Sequence, residues 1–234
     1  MGGVVYTVED GIGRVELDRP NILNALDGEA KRGLARVWRS VADDPDVRCV
    51  VVSGRGGSFC AGSDIKEIRE RGPVDTDTVL RALPGVMHPM LKPTIAVLHG
   101  HVLGMGLNLA LHCDIRFAHP ETRFGFPEIR HEMMSAAGAV VLPSVVGLGR
   151  GLEMLLGGEP IGADEALAMG LVTRLAQEPL AVALDLAAHV VSHDPALVRA
   201  MLSLARLGGS PPTAGAIAKI RLARDSLTKQ PSWP

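Results

Sequence analysis

The chain is poor in several things at once. Of its 234 residues only three are cysteines, Cys49, Cys60 and Cys113, set in separate apolar segments with no CxxC pair. That excludes a disulfide framework and a thiolate zinc site, and it fits a reducing compartment. Aromatics make up 3% of the chain, so the core must be built from small aliphatic side chains packed in thin layers. Neither sign of charge dominates: 24 Lys and Arg stand against 26 Asp and Glu, a net charge of -2. Nothing in that balance recruits a nucleic acid or another polyanion. Long hydrophobic runs are missing too. Mean hydropathy is +0.20, but the apolar residues come in short runs such as 136–141, far below the ~20 residues of a membrane span. The first residues lead straight into strand-like sequence, and the last four, Pro-Ser-Trp-Pro, carry no organelle address. The expected location is the cytoplasm, without signal or transit peptide.

What is present alternates between strand and helix. Residues 4–8 and 12–17 are β-branched runs separated by Asp10-Gly11, which reads as a hairpin. Asp27 caps a helix expected to run to about Ala42, with Leu34, Val37, Trp38 and Val41 at helical spacing. Residues 47–53 and 94–98 are near-continuous apolar runs, as in strands buried on both faces. A glycine-rich loop at 54–62 enters a short charged helix. A second helical stretch is expected over 75–90, a loop over 99–103, a helix over 104–111 and a strand over 113–118. From Ala136 onward the pattern is helical almost throughout, apart from 171–175, and GGSPPT at 208–213 reads as a linker. Such alternation argues for an α/β fold with a parallel-containing sheet. The division expected is a core over 1–190 and a helical C-terminal region over 191–234.

Two strand-to-helix turns share one character. Cys60-Ala61-Gly62-Ser63-Asp64 and Leu103-Gly104-Met105-Gly106 each leave a buried run, pass through small residues and enter a helix. A helix start presents unpaired amides and the positive end of the macrodipole. Two such turns aimed at one point would stabilise charge developing on a carbonyl oxygen. Spacing alone does not show that they converge, and glycines also serve simply to let a turn be tight.

The residues nevertheless resemble a known family. Asn21 to Leu26 (NILNAL), Phe59 to Glu67, Lys92-Pro93-Thr94-Ile95-Ala96 leading to Gly104-Met105-Gly106, Cys113 to Ala118, Phe124 to Ile129 and Glu165 to Val172 match, in order, the enoyl-CoA hydratase/isomerase (crotonase) superfamily. The resemblance implies a crotonase-like spiral of βαβ units, a helical C-terminal region that trimerises, a homotrimer or hexamer, and acyl-CoA thioester substrates. It implies coenzyme A as part of the substrate, no permanently bound cofactor and no metal. The oxyanion donors would be the backbone amides of Ser63 and Met105. Substrate would lie against Ala25, Ala61, Asp64, Ile65 and Gly104, with Lys66 either near the nucleotide phosphates or a solvated helix charge.

Acid–base groups then separate the reactions. Family hydratases use two glutamates; here the second is Glu128, and Asn108 holds the first position. A carboxamide hydrogen-bonds but does not exchange a proton at neutral pH. Hydration divides naturally between two carboxylates, whereas moving a double bond needs one base, so Glu128 favours isomerisation. Hydration despite Asn108 is the alternative, followed by a hydrolytic or C–C cleaving variant that uses His131, and a non-catalytic acyl-CoA binder. Glu132 and His131 could supply a second proton relay. His99, His101 and His112 read as packing or loop histidines, and Cys60 as a small buried residue. Two departures from the family alter the pocket expected: Arg130 to Ser135 replaces a glycine-rich run, and the sequence lacks the usual closing helix after Gln230.

Overall fold

The computed structural model describes residues 2–207. The linker read at 208–213 and most of the 191–234 region therefore lie outside the described residues.

The chain winds as a spiral. Strand β1 (Val4–Glu9) and strand β2 (Ile12–Leu17) form the expected antiparallel hairpin, turning on Asp10 and Gly11, both with positive φ. Three more strands follow in parallel: β3 (Cys49–Gly54), β4 (Thr94–Leu98) and, skipping one, β6 (Ile115–Ala118). The short β8 (Arg174–Leu175) closes the sheet in the order β1-β2-β3-β4-β6-β8. The two strands left over, β5 (His101–Leu103) and β7 (Arg123–Gly125), pair in parallel as a second small sheet. Isolated bridges extend that second layer: Leu26 to Ser63, Cys60 to Val102, and Phe124 to Ile161. Each turn of the chain thus gives one strand to the main sheet and then one extended segment to the second layer, in the same order.

The helices cover this frame. Helix α1 (Gly28–Asp43) begins where Asp27 accepts a 2.7 Å hydrogen bond from the Ala30 amide. Its stripe of Ala30, Leu34, Val37, Trp38 and Val41 is buried with Val50, Val52, Ala96 and Leu98 in the main core. Alternate residues of the same strands, Val51, Ile95 and Val97, point the other way. They are covered by Ala183 and Ala187 of α8 (Pro179–Ser192). Period-two burial on both faces is why those strands read as continuous apolar runs.

The remaining helices are α2 (Ile65–Arg71), α3 (Thr76–Arg81), α4 (Met105–Leu111), α5 (Ala136–Val146), α6 (Leu148–Gly157), α7 (Ala163–Ala168) and α9 (Pro195–Ala205). Three local expectations need correction. The helix expected over 75–90 stops at Arg81, because Pro84 has no amide to continue it and Gly85 turns with φ +75°. The loop expected over 99–103 contains β5. The strand β7 was not foreseen at all.

Candidate active site

The two glycine turns meet. The extended segment 60–64 lies between two neighbours. On one side Ala61 N donates to Leu23 O (2.9 Å), Leu26 N to Gly62 O (2.8 Å) and Asp64 N to Leu26 O (3.0 Å). On the other, Cys60 N donates to His101 O and Leu103 N to Cys60 O, each at 3.0 Å. At Gly62, with φ +112°, a Cβ would stand 3.2 Å from Leu103 O and 3.7 Å from Met105 N. Ser63 and Met105 are therefore brought to the same place. Met105 opens α4, where the first amides have no acceptor within the helix. Among the described residues neither the Ser63 nor the Met105 amide donates a hydrogen bond to the backbone. Ala25, Ala61 and Asp64 join them through the Leu23–Leu26 pairing, and Ile65 and Lys66 start α2 beside them.

Strand β7 delivers the acid. Gly104 N donates to Gly125 O at 2.9 Å, which pins the second turn three residues before Glu128. A 3₁₀ turn over Pro127–His131 then folds Glu128 back onto Gly104. A Cβ on Gly104 would lie 2.8 Å from Glu128 Oε1 and 3.2 Å from its Cδ, and Gly104 has φ +51°. Only glycine fits that approach and that backbone.

Asn108 lies one helical turn beyond Gly104 and is 5% exposed. Its Nδ2 donates to Ser135 Oγ at 3.3 Å. Among the described residues, Asn108 Oδ1 and Glu128 Oε2 are buried without a hydrogen-bond partner. Burial holds the Glu128 carboxyl above the usual carboxylate range, while its own backbone amide and the Ser135 hydroxyl pull it back down. The site thus sets a partly buried carboxyl, its Oε2 enclosed, beside two amides that donate to no backbone acceptor.

Several sequence candidates stand apart from this centre. His131 and Glu132, at the end of the 3₁₀ turn, are exposed. The three histidines diverge: His99 Nε2 lies 2.9 Å from Gly56 O, His112 Nδ1 lies 2.8 Å from Asn108 O, and His101 is exposed. Among the described residues no group of three His, Cys, Asp or Glu could hold a metal ion. Burial pushes the Cys60 thiol up to about 12, so it is no thiolate nucleophile. Lys66 is exposed, and its backbone amide is capped by Asp64. No described helix is long and apolar enough to cross a membrane.

The structure adds residues that the sequence reading passed over. Ser135 was seen only as part of a replaced run. Asn24 accepts from Arg19 N (2.8 Å) and donates to Ser58 O (2.8 Å) and Arg55 O (2.9 Å), holding the entry to the first turn. Arg19 pairs with Asp27 at 2.7 Å and reaches Asp64 at 3.7 Å. Lys31 is 3% exposed. Burial lowers its ammonium, offset by the carboxylates of Glu67, Asp27 and Asp64. A signal was available for Lys31: the spacing 27, 31, 34, 38 puts it on the buried stripe of α1.

Comparison with known proteins points one way. The model of the family described as Enoyl-CoA hydratase/isomerase matches residues 7–216. The chain is 37% identical over 217 residues to the (E)-benzylidenesuccinyl-CoA hydratase of Thauera aromatica, covering 89% of this chain and 84% of that one. It is 31% identical over 210 residues to the short-chain-enoyl-CoA hydratase of Clostridium acetobutylicum, covering 85% and 79%. Among solved structures, an enoyl-CoA hydratase of Mycobacterium smegmatis superposes with a TM-score of 0.89 at 25% identity, covering 99% of this chain and 93% of that one.

Proposed function

The chain belongs to the enoyl-CoA hydratase/isomerase family, and from that premise we propose that it moves the double bond of an enoyl-CoA thioester with a single carboxylate, Glu128. The carrying observation is the pairing of one buried carboxylate with a carboxamide. Glu128 lies against Gly104, and Asn108, one helical turn on, has no proton to give or take. In the forward step Glu128 removes a proton from the α-carbon of a 3-enoyl thioester. The electron pair moves onto the thioester oxygen, held by the Ser63 and Met105 amides as an enolate. The same carboxyl then returns the proton at the γ-carbon, leaving the 2-enoyl product. Two oriented amides in a dry site supply the largest share of such stabilisation. CoA enters as part of the substrate, along the backbone from Ser63 to Ile65, with Lys66 free to meet its phosphates. The assembly proposed is a homotrimer or a hexamer, in the cytoplasm.

Water addition is the second reading. The named relatives are hydratases, and the two unpartnered acceptors, Asn108 Oδ1 and Glu128 Oε2, could share the hydrogens of one water. One experiment separates the two. Paired 2-enoyl- and 3-enoyl-CoA substrates are incubated with the enzyme in heavy water and followed by mass spectrometry. Interconversion with deuterium uptake and no added water supports isomerisation. A product heavier by one water overturns it in favour of hydration. In either case Glu128→Gln is expected to lose about 10²–10⁴-fold in rate, the range of a general acid–base group.

A further inference from the structure

We propose that a cleft at the starting edge of the main sheet binds a small aliphatic carboxylate, held as a monoanion by Arg48 and Arg199. The cleft has a volume of about 430 Å³, within the roughly 300–1,000 Å³ of small-molecule sites. Four places far apart in the sequence build it. They are Asp43 and Asp44 at the end of α1, Val47 and Arg48 leading into β3, Leu91 and Lys92 leading into β4, and the α8–α9 junction. The turns at Ser63 and Met105 follow the opposite ends of β3 and β4, so this cleft is separate from the site already described.

Three cationic side chains line it, Arg48, Lys92 and Arg199, against two carboxylates, Asp43 and Asp44. None of the three cations forms an ion pair among the described residues. Lys92 is already engaged, because its Nζ donates to the Val41 and Asp44 carbonyls at the end of α1. Asp44 is engaged too, its Oδ1 accepting from the Asp46 amide at 2.9 Å. Arg48 donates through Nη2 to the His193 carbonyl, which draws the α8–α9 junction onto the start of β3. Its Nε is enclosed and has no hydrogen-bond partner among the described residues. The guanidinium therefore stands in the wall with a charge that no described carboxylate neutralises. Arg199 is exposed on α9, on the same face as Pro195 and Val198. Burial lowers the Lys92 ammonium, and Arg199 adds to that while Asp44 and Asp43 oppose it. Like charges crowded on one wall attract an anion.

The class of ligand follows from the lining. The start of α9 offers no free amide, since Asp194 Oδ1 accepts from Ala196 and Leu197 at 2.8 and 2.9 Å. Recognition falls to the arginines, whose forked donors match the two oxygens of a carboxylate. One net positive charge on the wall answers one negative charge. A dianion would bring its second charge against Asp43 and Asp44. The rest of the lining is aliphatic, with Val47, Leu91, Val190 and Val198 beside three prolines. Such a wall suits a short hydrocarbon tail.

The test titrates hexanoate into the whole protein by calorimetry, with hexanol and inorganic phosphate as comparison probes, and places the contact by methyl NMR. Hexanoate should bind and move the methyl signals of Val47, Val190 and Val198, while hexanol and phosphate leave them unmoved at the same concentration. Arg199→Ala, at an exposed position, should weaken hexanoate about 10–100-fold, the scale of losing one hydrogen bond to a charged group. Arg199→Lys should recover part of that loss. Glu128→Gln should bind hexanoate as the parent does, which separates this cleft from the acyl site. Unmoved methyl signals, binding unchanged in Arg199→Ala, or binding lost in Glu128→Gln would overturn the site. Hexanol or phosphate binding as tightly as hexanoate would overturn the assignment to a carboxylate.

Discussion

At Gly104 one residue serves two constraints. Its φ of +51° aims the Met105 amide, and its missing side chain leaves room for Glu128 Oε1, which a Cβ would meet at 2.8 Å. Gly104→Ala should therefore disturb the proposed oxyanion donor and the proposed base together. Expected is a loss of about 10²–10³ in kcat, the scale of removing one oxyanion donor, with the fold retained by circular dichroism. Unchanged kcat would mean that neither group is held by this turn. Glu128 carries a pH dependence of definite sign. Its carboxyl titrates above the ordinary range because burial disfavours the charge. The rate should fall as pH drops through that raised value, giving an acid limb displaced upward from that of an exposed carboxylate. Stability runs the opposite way, since the folded state holds this proton more tightly than the unfolded chain and folding weakens as pH rises through the window. Glu128→Gln removes the titration, so its melting temperature at neutral pH should exceed that of the parent while its activity is lost. Much of this was legible from residue identity: the two glycine turns, Glu128 and the substitution of Asn108. Their convergence was not, because it depends on Cys60 pairing with Val102 across some forty positions. Nor was Ser135, whose hydroxyl means nothing until Asn108 is known to face it.

At the scale of elements, what could be read depended on how local the cause was. Helix α1 was legible because its cap and its apolar stripe are its own sequence. So were β3 and β4, whose runs are buried on both faces. Strands β5 and β7 were not, because their three residues each exchange hydrogen bonds with each other and with segments of other turns of the spiral, Cys60 before them and Ile161 after. Their propensity is too slight to announce them. The helix expected over 75–90 was overextended, since Leu80 and Leu83 keep helical spacing past the point where Pro84 forbids a helix. The join between α1 and that region has a single polar anchor. Trp38 Nε1 donates to Ala82 O at 2.7 Å, with both residues buried. Trp38→Phe keeps most of the ring and leaves that carbonyl without its partner, a cost of about 1–3 kcal/mol. Urea unfolding should show the midpoint falling at constant slope, with kcat per folded molecule unchanged, because the bond lies away from Glu128. A midpoint equal to that of the parent would show the carbonyl finding another donor.

Among the described residues, large apolar side chains stand exposed on α5 and α6 and just before them. Met134 just before α5, Val140 on α5, and Leu148 and Leu156 on α6 are 80%, 76%, 66% and 65% exposed. Exposed apolar side chains on two helices that pack on each other point to a surface made for contact. A second copy of the chain is the occupant proposed, in a homotrimer, because the family resemblance implies trimerisation. The face is continuous with the site: Ile129, 45% exposed, follows Glu128 directly, and α6 packs on the turn that holds both. Covering it would stabilise the turn against Gly104 and further exclude water from Glu128, so assembly and catalysis should be lost together. Val140→Asp with Leu148→Glu places two charges where a partner would have to bury them unpaired, at a cost no standard-sized interface offsets easily. Analytical ultracentrifugation should find the parent at the mass of three copies or a multiple of three, and the double variant at one copy with reduced kcat. A parent that sediments as a single copy, or a double variant that stays assembled, would overturn the assignment of this face.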